Sequence, residues 1–117
     1  VKKQGIIDVS KYFSYLDLYV LCSKTEGFPN ILGEAIINGI HALSTDVGDA
    51  KLILPSRRNI VHNYDVIKFS KKIENLVKSY SFKKSRNHIL KKNSLIFHNK
   101  FSHNKMVYKY QKIWKSI

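Results

Sequence analysis

An apolar run that ends in a polar loop is the strongest structural signal in this chain. Residues 17–23, DLYVLCS, are mainly apolar and favour a strand, and the loop KTEGFPN follows at residues 24–30. Strands that are apolar along their whole length are typical of parallel sheets covered on both faces. Because parallel strands need long crossover connections, usually helices, the segment predicts an α/β fold.

The residues after this loop predict a helix and the remaining elements of such a fold. Pro29 suits the first helical turn, where its missing N–H has no partner to lose. The helix is predicted from Asn30 to Asn38, with Gly39 ending it. Its predicted apolar stripe is Ile31, Leu32, Ala35 and Ile36. Further elements are predicted as a helix at 9–16, strands at 42–45 and 59–62, helices at 66–80 and 82–99, and a terminal helix capped by Ser102.

Composition excludes several classes of protein. A hydrophobic fraction of 44% is ordinary for a globular core, and no apolar run reaches the roughly 20 residues of a membrane span. The single cysteine, Cys22, excludes an internal disulfide, and its apolar neighbours predict a buried side chain. The five histidines show no metal-ligand spacing.

Charge is distributed unevenly along the chain. Residues 1–50 carry four basic and six acidic side chains, whereas residues 51–117 carry seventeen and two. This excess predicts an anionic partner for the second half: nucleic acid, anionic lipid headgroups or an acidic neighbouring domain. Because the basic residues are mostly lysines on the polar faces of predicted helices, a solvated surface is the simpler interpretation.

Two glutamates, Glu26 and Glu34, lie around the predicted helix start with seven residues between them. Ligands of α/β proteins bind at the carboxyl ends of the strands, and the free amides of residues 30–32 at the helix start suit a phosphate. Gly27 permits close approach of a ligand to the backbone. Carboxylates accept hydrogen bonds from sugar hydroxyls, so the arrangement describes a nucleotide-sugar site. A helix-dipole role for Glu34 and a solvated Glu26 remain open from spacing alone.

The segment YLDLYVLCSKTEGFPNILGEAIINGIHALSTDVGDA closely resembles the C-terminal domain of glycosyltransferase family 4, the retaining "group 1" enzymes of GT-B fold. The shared pattern is Asp17 before the strand, Glu26-Gly27-Phe28, Glu34-Ala35 and Thr45-Asp46-Val47-Gly48. The resemblance covers nearly all of the chain. It implies a partial Rossmann-like parallel sheet with flanking helices, the C-terminal part of a GT-B fold. Within this single partial domain, residues 1–65 would form the strand/helix donor-site core and residues 66–117 the C-terminal helices.

In such enzymes the C-terminal domain binds a nucleotide-sugar donor and faces an acceptor-binding N-terminal domain. The resemblance implies transfer of a hexose, with retention, from a UDP- or GDP-sugar to a glycan or lipid-linked acceptor, without a metal or cofactor. Glu26 would bind donor-sugar hydroxyls, and Glu34 would bind the ribose. The implied donor-binding residues are Glu26, Gly27, Phe28, Asn30, Ile31, Leu32 and Glu34. None of them is assigned as a certain catalytic residue.

The chain departs from the family pattern at a few positions. His41 stands where a proline is usual, and no acidic residue follows near Leu52, so a ligand role for residues 48–52 is unsupported. The opening segment resembles the part after the third strand of the domain. The basic residues that neutralise the donor diphosphate, and the acceptor domain, are therefore expected outside these residues. We expect no turnover by this chain alone, and self-association through uncovered sheet surface.

Two other functions stay open at this point. A non-enzymatic basic module would bind RNA or an anionic membrane through residues 51–117, but core-like apolar stripes and the absence of a nucleic-acid motif argue against specific nucleic-acid binding. A glycosidase would need Glu26 and Glu34 to face each other across one bond, which their positions do not ensure. The family leads us to expect a cytoplasmic enzyme, peripheral at the inner membrane face, in polysaccharide or lipopolysaccharide biosynthesis of the cell envelope.

Overall fold

The computed structural model describes residues 8–79 and 86–116, in which three strands form one parallel sheet. The strands are β1 Leu18–Leu21, β2 His41–Thr45 and β3 Ile60–Val61, and they lie side by side in that order. Leu18 is opposite His41 in the first pair, and Ser44 is opposite Ile60 in the second. The predicted α/β fold with a parallel, partial Rossmann-like sheet is confirmed.

The helices follow the predicted order. They are α1 Asn30–Ile37, α2 Ala50–Ile53, α3 Val66–Lys78, α4 Arg86–Phe101 and α5 His103–Trp114, with 3-10 helices at Val9–Tyr15 and Arg57–Asn59. The four-residue α2 was not predicted, because it is too short to show a helical period. Ser102 caps α5 as predicted, since its hydroxyl accepts a hydrogen bond from the Lys105 N–H. Residues 80–85, which include the predicted start of α4, lie outside the described residues.

Gly39 ends α1, as the sequence predicts. Its φ of 72° is in the left-handed region that favours glycine. The Gly39 N–H donates to the Ile36 carbonyl, and the Ile40 N–H donates to the Ala35 carbonyl, both at 3.0 Å. These two bonds form a Schellman motif and satisfy carbonyls that the helix end would otherwise leave unpaired. The chain is thereby turned directly into β2.

One side of α1 forms the centre of the hydrophobic core. Leu32 and Ile36 pack with Leu21 of β1 and Ala42 of β2. Ile31 was predicted in the same stripe, but its side chain is 39% exposed. The correction follows from the helix orientation, because the buried face is made by residues 32, 33, 35 and 36.

Gly33 allows α4 to pack closely on α1. A Cβ at this position would lie 2.9 Å from the Phe97 ring, which is closer than a normal contact. Phe97 and Phe101 of α4 pack against the same core cluster that α1 covers. The absence of a side chain at residue 33 therefore fixes where the C-terminal helices meet the first half of the chain.

The last helix does not bury its apolar stripe, contrary to the sequence prediction of core-like stripes. Met106, Tyr110, Ile113 and Trp114 are all exposed, and α5 has no buried residue. The period of a helix shows which residues share a face, but it does not show whether anything covers that face. None of the helices in the described ranges has the length and the apolar character that a membrane span needs.

Candidate functional site

A network of side-chain hydrogen bonds joins the carboxyl ends of β1 and β2. The Thr45 hydroxyl, at the end of β2, donates to the Ser23 carbonyl at 2.7 Å. The Ser23 hydroxyl in turn donates to Oε1 of Glu26 at 2.7 Å. The Ser23 hydroxyl thus orients the Glu26 carboxylate at the end of the sheet. The two carboxylate oxygens can accept further hydrogen bonds besides this one.

Gly48 packs directly on the backbone of the Glu26–Phe28 loop. A Cβ on Gly48 would lie 2.0 Å from the Gly27 carbonyl oxygen and 2.4 Å from that of Glu26. The Asp49 N–H donates to the same Gly27 oxygen at 2.9 Å. The turn after β2 therefore supports the loop after β1, and this contact accounts for the T-D-V-G pattern without any ligand role for residues 48–52.

Asp46 ties this turn to β3 and α2. Its carboxylate lies 3.1 Å from Nζ of Lys51 and 2.7 Å from Nδ1 of His62. The hydrogen bond from Lys51, followed by that from His62, holds the pKa of Asp46 below its ordinary value. Because Asp46 is an acid with a lowered pKa, its carboxylate stays charged at neutral pH. Its contacts with Lys51 and His62 are lost only as the pH falls through the folded-state pKa of Asp46.

The start of α1 offers two free amides rather than the three predicted. Pro29 occupies the N-cap position, just before the first helical turn. Its carbonyl accepts bonds from the Leu32 N–H at 3.1 Å and from the Gly33 N–H at 3.3 Å. The Leu32 amide is therefore already engaged within the helix, and we restrict the predicted phosphate contacts there to Asn30 and Ile31.

Tyr19 on β1 connects the two glutamates electrostatically and was missed by sequence reasoning. Burial raises the pKa of its phenol, and the negative charges of Glu26 and Glu34 raise it further, with a contribution from Cys22. Both carboxylates are thus close enough to act on one side chain of β1. A tyrosine within a continuously apolar strand gives no sequence signal of this position.

Neutralising either carboxylate is expected to lower the pKa of Tyr19. Glu26→Gln and Glu34→Gln should each move it partly back toward 10.0, because burial, the larger cause, remains. An NMR titration of the protein labelled at tyrosine Cζ measures this pKa, and Tyr19→Phe assigns the signal. Because the pKa of Tyr19 is raised in the folded state, the neutral phenol contributes to stability at neutral pH. That contribution is lost as the pH rises through the folded-state pKa of Tyr19. An unchanged pKa in both variants would show that the glutamates do not face Tyr19.

An open groove runs between α1 and the two C-terminal helices. Its volume is about 740 Å³, and Asn30 and Glu34 of α1 line one side. Phe28 and Phe101 meet edge to face with ring centroids 5.3 Å apart, and Phe97 lies 4.8 Å from Phe101. The groove therefore combines hydrogen-bond acceptors on α1 with an aromatic wall.

Three lysines line the other side of the groove. They are Lys100 of α4 and Lys105 and Lys109 of α5. The sequence left both a solvated basic face and an anionic partner open for these lysines. It did not indicate a shared groove, because the turn at Ser102 decides whether lysines of two successive helices point the same way. Their positive charge opposite Glu34 suits a ligand that carries both hydroxyl groups and phosphates.

Cys22 differs from its prediction, because it is exposed rather than buried. It is the first residue after β1, so its side chain points away from the face that buries Leu21. With Lys24 and Tyr64 it lines a second cavity of about 350 Å³. In the described ranges, no cluster of three or more His, Cys, Asp or Glu side chains is arranged to hold a metal ion.

These features define an α/β protein with a candidate ligand site at the carboxyl ends of its parallel strands. A family model described as "Glycosyl transferases group 1" matches residues 3–107, which is most of the chain. The chain belongs to the group 1 glycosyl transferase family, as the sequence resemblance predicted. Neither the comparison with curated proteins nor that with solved structures gave a match.

Proposed function

We propose that this chain forms the donor-binding half of a retaining glycosyltransferase site, which transfers a hexose from a UDP- or GDP-sugar to a glycan or lipid-linked acceptor. The observation that carries the proposal is the groove that Phe28, Asn30 and Glu34 line together with Lys100, Lys105 and Lys109, beside the loop in which Ser23 orients Glu26. The effect of Glu26 and Glu34 on the pKa of Tyr19 gives further support to a position of both carboxylates near β1. Family membership supports the transferase reaction in general.

In this proposal Glu26 holds the donor sugar. Its carboxylate is oriented by Ser23, so it accepts hydrogen bonds from sugar hydroxyls without first losing rotational freedom. The backbone amides of Gly27 and Phe28 add donors to the same sugar. The packing of Gly48 under this loop keeps those amides in place when the site is empty.

The donor phosphates lie at the start of α1 in this proposal. The amides of Asn30 and Ile31 and the helix dipole, equivalent to about half a positive charge, favour an anion there. Lys100, Lys105 and Lys109 line the groove beside Asn30 and add positive potential. Negative charge grows on the diphosphate as the sugar leaves, so these groups stabilise the transition state more than the bound donor.

Glu34 binds the ribose hydroxyls, and the adjoining aromatic wall receives the nucleobase. A carboxylate accepts a hydrogen bond on each oxygen and thus matches two neighbouring ribose hydroxyls. The rings of Phe28 and Phe101 lie in the same groove as Glu34 and offer a surface for stacking. The acceptor is expected on the family's other domain, so this chain by itself should bind the donor without turning it over.

Removing the Glu34 carboxylate is expected to weaken nucleotide-sugar binding by about tenfold or more, because hydrogen bonds to a charged group are lost. The experiment titrates a panel of UDP- and GDP-sugars into labelled protein and follows the amide signals of Gly27, Phe28, Asn30 and Ile31. Glu34→Ala should abolish most of the shifts.

Glu74→Ala is the matched control, because Glu74 is an exposed helical glutamate on α3 whose partner is Lys78. Its binding curve should coincide with that of the unaltered chain. Equal weakening by both variants, or no shifts in a folded protein, would contradict the proposed donor site. Sugar transfer by the purified 117 residues would contradict the proposal that they hold only half of the site.

A further inference from the structure

The connection between β3 and α3, residues 62–65, has an unusual backbone. Asn63 has a φ of 60° and Tyr64 a φ of 51°, so two consecutive residues with side chains lie in the left-handed region. Asparagine tolerates this region, but it is costly for a bulky residue such as tyrosine. Residues held in this way cluster at functional sites, where the surrounding structure keeps them in place. The contacts of the Tyr64 side chain therefore deserve to be followed.

The side chain of Tyr64 contacts the loop after β1, residues 24–29. Its hydroxyl donates a hydrogen bond to the Lys24 carbonyl, 40 positions away in the sequence. Because β2 lies between β1 and β3, this bond spans the carboxyl edge of the sheet. Lys24 lies two residues before Glu26, so the left-handed backbone directs a hydroxyl from the β3 side onto the loop that presents Glu26.

The same connection also supports the turn after β2. His62 is its first residue, and its Nδ1 lies 2.7 Å from Oδ2 of Asp46. Asp46 precedes Gly48 by two residues, and Gly48 packs on the loop after β1. The connection therefore supports this loop twice, directly through Tyr64 and indirectly through His62 and the turn.

The cavity of about 350 Å³ adjoins the loop near Lys24. Lys24 and Tyr64 line it together with Val66 and Phe69 of α3. Within the described residues, space rather than packed side chains thus borders this part of the loop, and space provides no van der Waals contact to hold a backbone. The hydrogen bond from Tyr64 consequently has a large share in fixing the position of Lys24.

We propose that Tyr64 is a positioning residue for the donor sugar, because it keeps the loop after β1 where Glu26 meets the sugar hydroxyls. The inference rests on the proposed donor site. Glu26 lies between two held carbonyls: Tyr64 binds that of Lys24, and the Asp49 N–H binds that of Gly27 at 2.9 Å. A loop held at both points loses little conformational entropy when the sugar binds, which raises the affinity for the sugar.

The effect of Tyr64 should be confined to the sugar part of the donor. The phosphates and the ribose are assigned to the groove beside Asn30 and Glu34, whereas Tyr64 lines the other cavity. Loss of the Tyr64 hydrogen bond should therefore weaken binding of the whole nucleotide-sugar and spare its nucleoside diphosphate. A residue that only stabilised the fold would weaken both alike.

The test is Tyr64→Phe, which keeps the ring and removes only the hydroxyl. The panel of UDP- and GDP-sugars, and UDP and GDP alone, are titrated into the full 117-residue chain. Affinity for a nucleotide-sugar should fall by about fivefold, as for one lost hydrogen bond, and affinity for its diphosphate should change less than about twofold. In ligand-free protein, the amide order parameters of residues 25–27 should fall, while those of α1 stay near about 0.85.

Tyr15→Phe is the matched control. Tyr15 is 81% exposed and precedes β1, so it lies at the opposite end of that strand from the loop. Both affinities and the order parameters of the loop should equal those of the unaltered chain. Far-UV circular dichroism checks that both variants are folded.

Three results would overturn the inference. Unchanged order parameters at residues 25–27 in Tyr64→Phe would show that the hydroxyl does not hold the loop, whether or not a donor binds. Equal weakening of a nucleotide-sugar and its diphosphate would show that Tyr64 supports the fold rather than the sugar. If the unaltered chain bound no member of the panel, the donor role would be lost with the proposed function, a result distinct from the other two.

Discussion

Replacing Gly48 with alanine is expected to destabilise the fold and abolish nucleotide-sugar binding together. The residue has a φ of 45°, which costs a residue with a side chain about 1–2 kcal/mol. The added Cβ would also lie 2.0 Å from the Gly27 oxygen and 2.4 Å from the Glu26 oxygen. Both are backbone atoms, so the contact can be relieved only by moving the loop that presents Glu26.

We expect Gly48→Ala to lower the free energy of unfolding by roughly 2–5 kcal/mol, as the sum of backbone strain and overpacking. Urea denaturation measures this change. In protein that remains folded, the amide signals of Gly27 and Phe28 should move even without ligand, because their loop is displaced.

Gly27→Ala is the matched control for stability. It is the same substitution at the other glycine of the contact, and a Cβ there meets nothing within 4 Å. Its unfolding curve should lie within about 1 kcal/mol of the unaltered chain. If Gly48→Ala were equally harmless, the close packing of the turn on the loop would be refuted.

The sequence predicts those features of the fold that depend on neighbouring residues. The apolar run of β1, the helix start after Pro29 and the end of α1 at Gly39 each follow from a local pattern. The cap at Ser102 follows in the same way, because the serine hydroxyl reaches an N–H only three residues away. The family resemblance then identified which loop to regard as the site.

Contacts between residues distant in the sequence could not be predicted. Gly48 packs on Gly27 across 21 positions, and nothing near either glycine indicates the other. The groove lysines also depend on how α4 and α5 meet at Ser102. The pattern of α5 showed a stripe, but its exposure depends on what packs against it, which is a tertiary property.

The second large effect is expected for Leu32→Ala. The Leu32 side chain is 0% exposed and packs in the core cluster with Leu21, Ile36 and Ala42. Removing a buried leucine side chain costs about 2–5 kcal/mol, from lost transfer energy and the cavity left behind. Since small domains have total stabilities of about 5–15 kcal/mol, this loss is a large fraction of the whole.

Ile31→Ala is the matched control for Leu32→Ala, because Ile31 is the preceding residue of the same helix but is 39% exposed. Urea denaturation should show a loss below about 1 kcal/mol for Ile31→Ala and at least twice that for Leu32→Ala. Equal losses would show that α1 packs on the sheet through a different face. The helix α1 also carries Asn30 and Glu34, so both kinds of variant affect donor binding. Leu32→Ala should weaken donor binding only in proportion to the fraction of protein that is unfolded. Glu34→Ala should weaken donor binding while the protein stays folded.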